Sequence, residues 1–146
     1  MKTSTDTKDL FAALAKAQGE MRGAEKDGNN PHFKSSYATL ASVWDACRAP
    51  LSKNGLAIVQ TLEKSESGWI VETLLTHSSG EFISGSCPVV SAQQSMQSLG
   101  SGLTYARRYS LMAIVGLAPE DDDGENAEGR GNGKQVQHEI KDVEFI

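Results

Sequence analysis

Leu56–Cys87 reads LAIVQTLEKSESGWIVETLLTHSSGEFISGSC, and its punctuation decides the fold. Leu56–Glu63 is β-branched and alternating, Ser65–Gly68 is a turn, and Trp69–Thr76 is a second strand-like run. Ser78–Gly80 is a second turn, and Glu81–Cys87 a third run. Consecutive strands joined by turns this short pair antiparallel. The expected sheet is a three-stranded antiparallel meander with one apolar face in need of cover.

Helical spacing on both sides supplies that cover. Leu10, Leu14, Ala17 and Met21, with Phe11 beside them, predict a helix over residues 8–22. The glycine-bearing stretch 23–30 and Pro31 form a loop. Leu40, Val43, Trp44, Cys47 and Leu51 make one apolar stripe on a second helix, about Ser36–Asn54. Ser35 or Ser36 can cap it and Gly55 can end it, while Pro50 should kink or split its last turn. Residues 88–94 connect to a last helix, about Ser95–Gly116, ended by Gly116 and Pro119. The order is α-α-β-β-β-α, an α+β domain with helices on one side of the sheet.

The charge is divided unevenly. The 146 residues are 38% hydrophobic with a net charge of −5, which fits one globular domain. Residues 119–146 hold nine acids and three bases, a net of −6, so residues 1–118 carry +1. The chain divides into a domain over 1–118 and an acidic tail over 119–146, expected to be disordered because it has almost nothing to bury. No apolar run is long enough to cross a bilayer, and no signal peptide opens the chain. Cys47 and Cys87 lack metal-ligand spacing and read as free thiols in a reducing cytoplasm.

Catalytic and metal motifs are missing. His32 lies in a loop, His77 at a strand end and His138 in the tail, none at a recognisable motif spacing from a nucleophile. Gly100-Ser101-Gly102 lacks the Gly-Lys-Ser/Thr ending of a nucleotide loop. Those small residues either let the helix approach another backbone or offer free amides to a phosphate. Asp121-Asp122-Asp123 are adjacent, whereas two-metal sites need carboxylates converging from different elements. The expectation is no catalytic residue, no metal and no cofactor.

Two aromatic–basic clusters remain. Tyr105, Arg107, Arg108 and Tyr109 open the apolar half of the last helix, and Lys34 and Tyr37 sit with Phe33 before the second. Each has an ordinary explanation: arginines pairing with carboxylates, aromatics anchoring the core. Each also suits a nucleic acid, with bases on phosphates and rings stacking or hydrogen-bonding nearby. Arg107 and Arg108 are about 100° apart on a helix, so one meets phosphate and the other a carboxylate. Arg108 is the stronger phosphate candidate because Tyr105 lies one turn before it.

NPHFKSSYATLASVW (residues 30–44), LSKNGLAIVQ (51–60) and GSGLTYARRYSLMAIVGLAPEDDDG (100–124) resemble the Erf family of bacteriophage single-strand annealing proteins, over about residues 8–126. The resemblance implies a fold similar to the ring-forming annealing proteins of eukaryotic break repair. It implies annealing of single-stranded DNA without ATP, by a homo-oligomeric ring or filament in the cytoplasm of a bacterial host. The DNA-contacting residues would be Lys34, Tyr37, Lys53, Tyr105, Arg107 and Arg108. A host single-strand binding protein and a phage exonuclease are candidate partners. The rival readings are an adaptor whose acidic tail docks a host replication or repair factor, and a metal-dependent nuclease built on Asp121–Asp123.

Overall fold

Alternation along the central third of the chain is met by three long strands in a computed structural model that describes residues 1–32 and 34–120. In chain order the elements are β1 (Lys2–Thr3), α1 (Lys8–Glu20), β2 (Gly28–Asn30), β3 (Ser35–Tyr37) and α2 (Leu40–Lys53), followed by β4 (Leu56–Ser65), β5 (Gly68–His77), β6 (Phe82–Pro88) and α3 (Met96–Val115). The class is α+β, as expected, but the main sheet has four strands rather than three, in the order β1-β6-β5-β4, all antiparallel.

The fourth strand is β1, which pairs Lys2 with Ser84 and Thr3 with Ile83. A two-residue strand carries no alternation to read. A second, two-stranded sheet joins β2 to β3, pairing Gly28 with Tyr37 and Asn30 with Ser35. Its Gly-Asn-Asn and Ser-Ser-Tyr sequences are polar and short, so the expected loop and helix start are in fact a hairpin. The second helix therefore begins at Leu40, not Ser36. Thr39 caps it, its Oγ1 accepting from the Ser42 amide at 3.2 Å.

Pro50 lies inside α2 without ending it: the helix runs on to Lys53 and the Asn54 amide reaches the Pro50 and Leu51 carbonyls. Gly55 follows in the left-handed conformation expected of it, φ 70°. The last helix is bounded by Ser95, whose Oγ accepts from the Ser98 amide, and by left-handed Gly116.

In the register of β4–β6, Leu75 lies opposite Ile58 and Ile83. Leu75 and Ile83 join Leu10 and Leu14 of α1, Val43 and Cys47 of α2, and Leu111 and Val115 of α3 in one core. Burial pushes the Cys47 thiol up to about 11. Ala24 closes the chain on itself, its amide donating to the Ala118 carbonyl and its carbonyl accepting from the Glu120 amide. The described body thus extends to Glu120, two residues into the expected tail, and the rest of that tail, residues 121–146, lies outside the described residues. No described helix is long and apolar enough to cross a membrane.

Candidate nucleic-acid interface

Tyr105, Arg108 and Tyr109 stand at i, i+3 and i+4 on α3, a spacing that puts them on one face. The Tyr105 and Tyr109 rings stack with centroids 6.1 Å apart and planes at 25°. The Arg108 guanidinium carbon lies 4.7 Å from the Tyr105 centroid, 5.0 Å from Tyr109 and 4.8 Å from Tyr37. One guanidinium nitrogen donates to the Ala38 carbonyl at 3.2 Å. Sequence reasoning ranked Arg108 first for phosphate, yet it is only 7% exposed, while Tyr37, Tyr105 and Tyr109 are 39%, 51% and 55% exposed. Its charge is spent largely inside the protomer, holding three rings at the surface. Among the described residues no carboxylate pairs with it.

Tyr37 reaches this position through β3. Its partner across the hairpin is Gly28, and a Cβ there would lie 2.7 Å from the Tyr37 ring. The ring thus fits between a residue with no side chain and a guanidinium. Gly28 escaped the sequence reading because a lone glycine beside two asparagines reads as loop. The hairpin is further tied to α2 by Asp27, which accepts from the Thr39 amide at 3.1 Å and from Thr39 Oγ1 at 3.0 Å. The Thr39 amide, then its hydroxyl, hold the Asp27 carboxyl below its ordinary value. At the tip, Lys34 is exposed and takes a left-handed backbone, φ 49°, uncommon outside glycine and asparagine.

Arg107 points elsewhere, as adjacent helical residues must. Its Nε donates to Gln60 Oε1 at 3.3 Å, and Gln60 Nε2 donates back to the Arg107 carbonyl and to Thr73 Oγ1, both at 3.0 Å. Gln60 is a polar clamp between β4, β5 and α3, and Arg107 remains partly exposed beside it. The expected carboxylate partner is thus replaced by an amide. Lys53 is not brought to this cluster. It ends α2, about 20 Å along the helix from Thr39, and pairs with Glu20 at 2.9 Å.

Gly100-Ser101-Gly102 lies past the first turn of α3, not at its start, so its amides belong to the helix and cannot form a phosphate loop. The alternative role holds at Gly102, where a Cβ would strike the Val90 carbonyl oxygen. Among the described residues no group of three or more His, Cys, Asp or Glu is placed to hold a metal ion. Asp121–Asp123 lie outside them.

The sequence profile of the ERF superfamily matches this chain over residues 10–144. No curated protein and no solved structure matches it.

Proposed function

Since the chain belongs to the ERF superfamily, we propose that it is a phage recombination protein that binds single-stranded DNA and anneals complementary strands without ATP or metal, working as a ring or filament in the bacterial cytoplasm. The observation that carries this reading is the Arg108 centre: a guanidinium with no carboxylate partner among the described residues, ringed by three exposed tyrosines. Annealing requires that phosphates be held while Watson–Crick edges stay free. Surface rings fixed from behind by a buried cation give a sequence-tolerant stacking platform. Lys34 at the hairpin tip and Arg107 beside Gln60 are the cations left to meet phosphate, and Arg108 is a positioning residue.

One protomer offers few charges, and a repeating assembly multiplies them along one groove. The β4 edge supports such assembly. It ends the sheet, and its ten residues find no neighbouring strand on that side among the described residues.

The test is annealing of two complementary dye-labelled oligodeoxynucleotides by the purified chain in EDTA without nucleotide. Pairing faster than the spontaneous rate, lost in a Tyr105→Ala/Tyr109→Ala variant that remains folded, supports the proposal. A folded chain that neither retains single strands nor speeds their pairing overturns it and favours the adaptor reading. Magnesium-dependent cleavage of the strands would instead favour the nuclease.

A further inference from the structure

A second surface lies on the side of α3 that faces β6. Two cavities of about 390 and 370 Å³ meet there and share Cys87 and Tyr109. Together they form one groove, walled on one side by β6, the segment after it and Met1, and on the other by α3 from Ser98 to Ile114, with Thr73 of β5 at its base. Its helical wall is about 24 Å long. No side chain lining it is charged. Gly85 opens its floor, since a Cβ there would meet nothing within 4 Å. Ser110 Oγ is buried at its side with no hydrogen-bond partner among the described residues. Beyond Ser84, where β1 stops, the outer edge of β6 is unpaired among the described residues.

A strand edge beside a helix, with small residues between, accepts an extended peptide that adds to the sheet and lowers alternate side chains into the groove. We propose that its occupant is residues 140–146 of the same chain, Ile-Lys-Asp-Val-Glu-Phe-Ile.

Three facts select this segment. Seven extended residues span about 23 Å, the length of the groove. Their alternation puts Val143 and Phe145 on one side, with Lys141 at its start, and Asp142 and Glu144 on the other, between Ile140 and Ile146. The described residues run to Glu120, just past the C-terminal end of α3, and the residues between 120 and 140 can extend to about 65 Å. The family match continues to residue 144, so it takes in Val143 but not Phe145. A docked backbone carbonyl would give Ser110 Oγ the acceptor it lacks. The groove shares Tyr105 and Tyr109 with the aromatic platform, so a docked segment and a DNA strand would meet the same rings.

Hydrogen exchange on three full-length proteins tests it: the wild type, Gly85→Leu, and Val143→Ser/Phe145→Ser. A Cβ at position 85 meets nothing within 4 Å, so Gly85→Leu projects into the groove, and equal core-amide exchange checks that its fold is retained. The expected result is exchange at residues 140–146 at least tenfold slower in the wild type than in either variant, with core amides equal in all three. Residues 85–87 should also exchange faster in Val143→Ser/Phe145→Ser than in the wild type. Equal exchange at 140–146 in all three overturns the proposal. So does protection that grows with protein concentration, which assigns the occupant to another copy, or groove protection seen only with added oligodeoxynucleotide.

Discussion

Arg108 donates a hydrogen bond to the carbonyl of Ala38, 70 residues earlier in the chain. The last helix is thereby fixed to the residue between the hairpin and the second helix, and both aromatic–basic clusters of the sequence become one site.

Removing that guanidinium leaves a buried gap and an unmet carbonyl. A hydrogen bond from a charged donor contributes about 1.5–3 kcal/mol and a desolvated cation–π contact about 2. Arg108→Ala should therefore destabilise the fold by about 3 kcal/mol, read from the urea midpoint, and Arg108→Lys by less. Single-strand affinity should fall in both because the rings lose their support. Wild-type stability in Arg108→Ala would show that the contact does not hold the elements together.

Tyr105 and Tyr109 present half of their surface to water, so their loss should act on binding more than on folding. Stacking on an aromatic ring contributes about 1–3 kcal/mol per base, so each alanine variant should weaken oligonucleotide binding about 5- to 150-fold. The melting temperature should move little. Tyr37→Ala should differ, lowering both, because its ring also packs on Gly28. Titration by fluorescence anisotropy with parallel thermal melts separates the two behaviours.

Salt dependence distinguishes the cations. A lost phosphate contact flattens the log–log slope of affinity against salt by about 0.7 per charge on single strands. Lys34→Ala and Arg107→Ala should each show that change. Lys53→Ala should not, because Lys53 stands at the far end of α2 and already pairs with Glu20. An equal slope change in Lys53→Ala would extend the DNA path along α2.

What was legible in the sequence follows from periodicity. Ser95, Gly116 and Gly55 marked helix ends because their chemistry is local, and the three long strands were marked by alternation. The β2–β3 hairpin was hidden because Gly28–Asn30 and Ser35–Ser36 have no apolar period, and β1 because two residues have none at all. The residue types of the site were visible, but the division of labour between Arg107 and Arg108 was not. It depends on Gln60 and Ala38, which lie 47 and 70 residues away and carry no motif.

Asp27 makes the hairpin-to-helix joint sensitive to acid. Its carboxyl is held below the ordinary value by the Thr39 amide and hydroxyl. A group depressed in the folded state stabilises above its unfolded value, about 3.9, and that contribution is lost as pH falls through the folded value. Asp27→Asn cannot titrate. Urea midpoints from pH 6 to 3 should fall more steeply for the wild type than for Asp27→Asn. Parallel curves would mean that the carboxylate form adds nothing to the joint.

Two glycines two residues apart on α3 should respond to alanine with opposite sign. Glycine in a helix interior costs about 0.5–1 kcal/mol relative to alanine, so each substitution starts with that gain. At Gly100 nothing lies within 4 Å of the new Cβ, and the gain should be realised in full as a higher melting temperature. At Gly102 the Cβ would meet the Val90 carbonyl oxygen and lie 3.1 Å from Val89 Cγ1. A backbone oxygen cannot rotate aside like the end of a long side chain, so the helix or the 89–90 segment must shift. Such overpacking costs about 1–3 kcal/mol, enough to outweigh the helical gain. Gly102→Ala should therefore melt below the wild type, and because Val90 and Gly102 both line the groove beside β6, it should also disturb that surface. If both variants were stabilised alike, the close approach of α3 to Val90 would not constrain the fold.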